Sequence, residues 1–175
     1  MSQETRFGVI VMVGICLCLV SGTVAYSQAQ STAAGTVGKE PVLKHARGSF
    51  DVKVTPQPPG DTPEGAAIGR MTRDKQFHGD LDAKSKGQML SAGTAVEGSA
   101  GYVAMELVSG TLNGRTGTFV LQHSATMTRG APQLSITVVP DSGTGQLTGL
   151  AGRMSIIIVD GKHSYEFDYT LAESR

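Results

Sequence analysis

The chain has 175 residues, with 15 basic and 15 acidic side chains that give a formal net charge of +0 at pH 7. It shows no basic stripe with interleaved aromatic residues, so its composition argues against nucleic-acid binding. Both cysteines, Cys16 and Cys18, lie near the N-terminus. A protein that has lost this segment would have no disulfide, thiolate or cysteine–metal chemistry.

The N-terminal residues, 1–29, have the order of a secretory signal peptide. Arg6 precedes an apolar run over 7–20, and small residues follow at positions such as Ala25 and Ala29. This order predicts cleavage near Ala29 and export to the periplasm or the extracellular space. An uncleaved leader would instead anchor the protein, because the run extended to Ala25 approaches the minimum length of a membrane span. Membrane association is expected only in that case.

Residues 30–45 are small, polar and glycine-containing, a composition that predicts a flexible tether. The domain predicted after the tether covers residues 46–172. Its first strand, about Ser49–Thr55, is followed by a proline-rich segment over 56–65. We expect this segment to be a loop, because proline cannot join the interior of a sheet.

Alternation of apolar and polar residues dominates the rest of the chain, and no segment has the pattern of a long amphipathic helix. In the segment 115–127 one face carries Phe119, Leu121, His123 and Met127. This pattern predicts a strand with one buried face. Seven strands are predicted after the first, at about Ala67–Phe77, Ala83–Ala92, Ala100–Ser109, Arg115–Met127, Gln133–Val139, Arg153–Val159 and His163–Leu171.

Short turns are expected between these strands. Asn113-Gly114 and Asp160-Gly161 lie between alternating runs, and such pairs are the strongest local signals for hairpins. Eight strands joined mainly by short turns predict an all-β protein, an eight-stranded antiparallel up-and-down barrel. Closure is expected because it removes the unpaired strand edges that invite aggregation.

Three ordered stretches of the sequence, 69–81, 119–134 and 139–152, resemble a bacterial family catalogued as domain of unknown function 3224. The resemblance covers essentially everything after Ala46. It implies an eight-stranded barrel of the allene-oxide-cyclase type, in agreement with the strand count. It implies no activity, because no reaction is established for the family and likeness of fold is weak evidence for a substrate.

The interior of an eight-stranded barrel is wide enough for packed side chains or for one small ligand. A small, largely apolar molecule is therefore the expected partner, bound in the barrel or at its open end, with no cofactor. Apolar and aromatic residues with a few polar groups are typical of such pockets. The residues predicted to contact it are Phe77, Phe119, Leu121, His123, Met127, Tyr165 and Tyr169.

His123 is the first candidate for chemistry, because it shares a face with apolar residues and is expected to point inward. It would serve there as a base, an acid or a hydrogen-bond donor. The alternative is a core histidine whose nitrogens are satisfied by a neighbouring hydroxyl or carbonyl group.

Lys75 and Glu106 are the other catalytic candidates. Lys75 shares a face with Phe77, and Arg73 lies on the same face. If Lys75 and Glu106 point inward, they must pair or contact water, since a lone buried charge is very costly. Two solvated charges on the outer face are the more frequent arrangement for such residues.

The sequence leaves open which face of the 100–109 strand is interior, because both faces are apolar. Val103, Met105 and Leu107 alternate with Tyr102 and Val108. The row of Val103, Met105 and Leu107 would form a subunit interface if it faced outward.

A metal site is not predicted. His78 and Asp80 are close in sequence, but no third ligand occurs at a recognisable spacing, and Asp80 is expected to stabilise a turn. The leading prediction is an exported barrel that binds a small apolar molecule. The alternatives are an isomerase or cyclase with an acid or base inside the barrel, and an oligomeric structural module with a solid core.

Overall fold

The computed structural model describes residues 42–58 and 68–172. The predicted signal peptide, residues 1–29, lies outside the described residues, as does the predicted tether up to residue 41. Within the described ranges, no helix is long and apolar enough to cross a membrane.

Eight strands form one closed antiparallel barrel, in which each strand pairs with its neighbours in the chain and the first pairs with the last. The predicted fold class is therefore confirmed. A short 3-10 helix, Gly145–Leu147, lies between the sixth and seventh strands. The strands are β1 Lys44–Gln57, β2 Ile68–Gly79, β3 Leu81–Gly93, β4 Ala100–Leu112, β5 Arg115–Thr128, β6 Ala131–Val138, β7 Ala151–Val159 and β8 Lys162–Thr170.

The barrel begins earlier than the alternation of apolar residues indicates. Lys44 and His45, the last two residues of the predicted tether, already belong to β1. Their backbone pairs with Tyr169 and Asp168 of β8, and the Nδ1 atom of His45 lies 2.6 Å from Oδ1 of Asp168. Both residues are polar, so the apolar pattern gave no sign of this extension.

The two hairpin turns predicted from the sequence are confirmed. The φ angles are 46° and 80° at Asn113 and Gly114, and 50° and 74° at Asp160 and Gly161. Positive φ at both central residues is typical of the type I′ turn, whose twist matches that of the paired strands. Asparagine, aspartate and glycine tolerate this backbone better than other residues do, which is why these pairs marked the turns.

One end of the barrel is filled by apolar side chains. This closed end contains the start of β1, the turns after β2 and β4, and the loop before β7. Phe77, Phe119 and Phe167 are buried in its core, together with Leu147 and Leu150 from the loop. The rings of Phe119 and Phe167 stack with their centroids 5.9 Å apart.

The seam between β6 and β7 has the least strand pairing in the barrel. Thr137 and Arg153 are the single pair of facing residues between these two strands, whereas β1 and β8 pair over six residues. Closure at this point therefore depends on contacts other than a regular ladder of backbone hydrogen bonds.

The loop over 139–150 covers the part of β5 that β6 does not reach. The N–H of Thr118 in β5 donates to Oγ1 of Thr144 at 3.0 Å. The N–H of Val120 donates to Oγ of Ser142, also at 3.0 Å. Hydroxyl groups of the loop thus satisfy the first half of β5, whose backbone would otherwise be an open edge.

Candidate functional site

The opposite end of the barrel is partly open. We call this end, where β1 ends and β2 begins, the mouth. Its inward-facing side chains are half-buried and mostly apolar, and they include Met71, Met89, Tyr102, Ala125 and Ile156. Apolar side chains with few polar groups among them are a common composition for a ligand site.

A charge cluster lies inside the barrel between the mouth and the apolar core. It consists of Lys75, Ser85, Glu106 and His123, all buried, with the last two only 1% and 0% exposed. The ammonium of Lys75 donates to Oε2 of Glu106 at 2.9 Å, and the hydroxyl of Ser85 donates to Oε1 at 2.5 Å. The Nε2 atom of His123 lies 2.9 Å from Oε2. The carboxylate of Glu106 is therefore the centre of the cluster.

Strand register brings these four residues together, and it places His123 of β5 opposite Ala104, two residues before Glu106 in β4. Lys75 in β2 lies opposite Ser85 in β3, and Gly87, two residues further along β3, lies opposite Glu106 in β4. A Cβ atom at Gly87 would lie 3.3 Å from Cβ of Glu106 and 3.0 Å from a backbone oxygen of β4. The absence of a side chain at Gly87 thus leaves room for the carboxylate.

Lys75 and Glu106, whose orientation the sequence left open, both face the interior of the barrel. The prediction that Lys75 and Glu106 are solvated charges on the outer face is wrong, because the register of the barrel places both on the inner face. The expectation that they must pair if buried is confirmed by the 2.9 Å contact. Attraction between the two charges offsets part of the cost of removing each from water.

The environment shifts the pKa of each ionisable member. Burial raises the pKa of Glu106, but His123, Lys75 and Ser85 lower it more, to about 2. Burial lowers the pKa of Lys75, with Glu106 opposing. Burial also lowers the pKa of His123, again opposed by Glu106. At neutral pH the cluster therefore contains an ionised carboxylate and a neutral imidazole.

His123 is buried without full satisfaction of its ring. Among the described residues, its Nδ1 atom has no hydrogen-bond partner, and its Nε2 atom, although close to Glu106, lacks a well-aligned one. The inward orientation predicted for His123 agrees with its complete burial. The expected neighbouring hydroxyl or carbonyl group is not its partner, because the nearest polar group is the Glu106 carboxylate. A buried polar atom without a partner costs about 1–3 kcal/mol, so it needs an explanation.

Arg73 adds a further cation on the mouth side of the cluster. Its guanidinium carbon lies 5.8 Å from the centroid of the Tyr102 ring, a distance at which a cation and an aromatic face attract each other. Its Nη1 atom is buried and has no partner among the described residues. The sequence placed Arg73 on the inner face beside Lys75 but gave no reason to choose it as a site residue.

The structure places most of the predicted ligand contacts in the packed core. Phe77, Phe119, Leu121, Tyr165 and Tyr169 are buried there, whereas Met127 is 42% exposed at the mouth. The hydroxyl of Tyr165 accepts a hydrogen bond from the N–H of Leu81 at 2.9 Å. The predicted set is therefore divided between the wall of the core and the mouth, with His123 between them.

The outer surface of β2–β5 carries a groove of about 1110 Å³. The row of Val103, Met105 and Leu107 faces this groove and is 52–55% exposed, so the inner face of β4 is the one that carries Tyr102 and Val108. Among the described residues, no group of three or more His, Cys, Asp or Glu side chains is placed to hold a metal ion. The imidazole of His78 instead contacts the Asp51 carboxylate at 3.1 Å.

Comparison with known proteins agrees with the sequence resemblance. A family model described as "Protein of unknown function (DUF3224)" matches residues 46–169. The chain belongs to the DUF3224 family. The allene-oxide-cyclase likeness of this family stays a prediction.

A solved structure supports the same assignment for this DUF3224 protein. It is a protein with unknown function from the DUF3224 family from Shewanella oneidensis MR-1, and it is 51% identical in sequence. The match covers 76% of this chain and 100% of that chain, with a TM-score of 0.72. No curated protein matches the chain.

The charge cluster predicts that acid destabilises this DUF3224 protein. Unfolded His123 binds a proton near pH 6.5, whereas the folded residue, with its lowered pKa, binds one only at lower pH. Glu106 acts in the same direction between its unfolded pKa, about 4.3, and its folded pKa of about 2. The unfolded state thus binds more protons than the folded state. As the pH decreases, the free energy of unfolding should fall by up to about 1.4 kcal/mol per pH unit for each group, in the interval between its unfolded and folded pKa.

Urea unfolding between pH 7 and pH 3 measures this dependence. His123→Gln should flatten the decline just below pH 6.5. Equal slopes for wild type and His123→Gln in this interval would contradict the assignment.

Proposed function

We propose that this DUF3224 barrel binds a small, largely apolar molecule at its mouth and directs one polar group of that molecule toward the charge cluster. The observation that carries the proposal is the unpartnered Nδ1 atom of fully buried His123, below a half-open apolar surface. A ligand group that hydrogen-bonds to this atom would satisfy it.

The energetics of the cluster support a role beyond stability. Replacing a buried ion pair by apolar residues of similar volume is often neutral or stabilising. A barrel that needed only a solid core would be at least as stable with apolar residues in place of Lys75 and Glu106. Sequences break the rules of core formation mainly at functional sites, so the cluster indicates a function.

The position of the cluster also supports binding at the mouth. The closed end is filled by the aromatic core, whereas Met71, Met89 and Ala125 at the mouth remain half-buried. A ligand that entered there would cover apolar surface at about 25 cal/mol per Å². Its polar end would meet Arg73 and His123 first.

Native mass spectrometry of the protein from its own host tests this proposal. We expect a co-purified molecule that is released on unfolding. The same spectrum gives the mass of the processed chain. It therefore tests our further proposal that the protein is exported, which rests on the order of residues 1–29.

A matched pair of variants should locate the bound molecule. Ala125→Trp is expected to fill the mouth and to weaken binding of a neutral fluorescent probe, N-phenyl-1-naphthylamine, by at least about tenfold. Ser124→Trp adds the same bulk to the outer face of β5, because Ser124 is exposed, and should leave binding unchanged. Fluorescence titration measures both. Equal effects of the two variants, or none from either, would contradict binding at the mouth.

An isomerase or cyclase is the second candidate function. It is favoured by the neutral imidazole of His123, whose Nε2 atom lies 2.9 Å from Oε2 of Glu106, because a carboxylate beside an imidazole favours uptake of a proton at the other nitrogen. Catalysis would convert an added ligand into an isomer. In that case His123→Gln should return the ligand unchanged.

The third candidate is an assembly of identical subunits through the exposed row of Val103, Met105 and Leu107. Adjacent apolar side chains on an outer surface support this proposal, and the partner would be a second copy of the chain. The native mass spectrum distinguishes this case by the mass of the intact particle.

A further inference from the structure

We propose that the molecule bound at the mouth is an amphipathic anion, an apolar body with a single carboxylate, and that Arg73 is the residue that selects its charge. This inference rests on the proposed function and adds the chemical class of the ligand. It depends on two observations that the ion pair of Lys75 and Glu106 does not explain.

The first observation is the charge balance of the interior. Lys75 and Glu106 cancel each other through their 2.9 Å contact. Arg73 then adds one positive charge, because arginine stays protonated. On the inner face of the described strands, no second acidic side chain balances it. The other acidic residues of these strands are all exposed: Asp51, Asp74, Asp82, Glu166 and Asp168. The inner end of the mouth therefore carries an excess of one positive charge.

The second observation is the state of the guanidinium group. Stacking over the Tyr102 ring at 5.8 Å positions it, yet its Nη1 atom is buried without a partner among the described residues. A guanidinium presents parallel N–H donors in a fixed plane that matches the two oxygens of a carboxylate. The group is thus oriented in advance for an anion.

His123 adds no second positive charge to the site. Burial keeps its imidazole neutral, and the charge of Arg73 acts in the same direction. A neutral imidazole carries one N–H group, and the Glu106 carboxylate 2.9 Å from Nε2 favours the proton on Nε2, which leaves Nδ1 as an acceptor. The anionic end would therefore be held by Arg73, while the apolar residues of the mouth cover the body of the molecule.

Isothermal titration calorimetry with two ligands of equal chain length tests the charge. Decanoate ends in a carboxylate and 1-decanol in a neutral hydroxyl group. Both are used below their aggregation limits at pH 7. We expect decanoate to bind at least about tenfold more tightly, a difference of about 1.4 kcal/mol. Equal affinity would overturn the proposed anion selectivity and leave the proposed apolar binding intact. Binding of neither ligand, nor of the neutral probe, would overturn both.

Variants of two arginines on β2 test whether Arg73 is the residue that selects the charge. Arg73→Met removes the charge and keeps an apolar chain, and we expect it to reduce the affinity for decanoate to that for 1-decanol. Arg70→Met removes an exposed arginine from the outer face of the same strand and should leave both affinities unchanged. Equal losses in the two variants would indicate attraction by net charge alone and would overturn the assignment to Arg73.

A third variant covers the case in which Arg73→Met does not fold. Arg73→Lys keeps the charge but loses the planar pair of donors. This variant should reduce the affinity for decanoate several-fold and leave the affinity for 1-decanol unchanged. Circular dichroism checks that each variant retains the sheet. Unchanged decanoate affinity in folded Arg73→Lys would overturn the bidentate contact.

Discussion

Lys75→Met is expected to destabilise the barrel by about 3–5 kcal/mol, because it leaves the Glu106 carboxylate buried without its cation. The two groups are 2.9 Å apart, and their side chains are 0% and 1% exposed, so water cannot replace the lost partner. Glu106→Gln should be costly for the same reason, since it leaves the Lys75 ammonium unpaired. Urea unfolding at pH 7 measures both variants.

Two comparisons make this result specific to the buried pair. Lys84→Met removes an exposed lysine from the outer face of β3 and should change the free energy of unfolding by no more than about 0.5 kcal/mol. The double variant Lys75→Met/Glu106→Leu should recover much of the loss, because it removes both charges. A loss in Lys75→Met no larger than that in Lys84→Met would show that the pair does not form.

Phe167→Ala is expected to cost about 3–5 kcal/mol, as the loss of a large buried aromatic side chain usually does. The Phe167 ring is 0% exposed. It stacks on Phe119 at 5.9 Å and on Tyr169 at 5.3 Å between centroids, so its removal also ends two aromatic contacts. A large cavity would remain, because the strands on both sides hold the neighbouring side chains in place.

Two controls separate the cavity from other effects of substitution. Phe167→Leu keeps most of the apolar volume and should lose markedly less stability than the alanine variant. Ile158→Ala shortens a side chain that is 61% exposed and should be nearly neutral. If Phe167→Ala unfolds at the same urea concentration as Ile158→Ala, the core at the closed end does not pack as described.

The barrel was predictable because its signals are local. The alternation around Phe119 and Leu121 defines a strand in a few residues, and Asn113-Gly114 defines a turn in two. The start of β1 was not predictable in this way, because Lys44 and His45 join the sheet through backbone pairing with β8, far away in sequence. Pairing between the first and last strands depends on closure of the whole barrel.

The site was only partly predictable. His123 could be assigned to the interior because the other face of β5 is polar, whereas β4 is apolar on both faces and gave no orientation for Glu106. Only the register places Glu106 beside Lys75. The role proposed for Arg73 also depends on Tyr102, which lies two strands away in β4 and which no spacing in the sequence connects to it.

The loop over 139–150 has a consequence for how the barrel opens. It protects the edge of β5 with side-chain hydroxyl groups and sits against Gly117, where an added Cβ atom would lie 2.1 Å from the Thr144 carbonyl oxygen. Detachment of the loop would expose an unpaired strand beside the weakly paired seam of β6 and β7. An exposed edge of this kind recruits a strand from another molecule. Domain swapping between two copies of this protein would therefore begin at this seam.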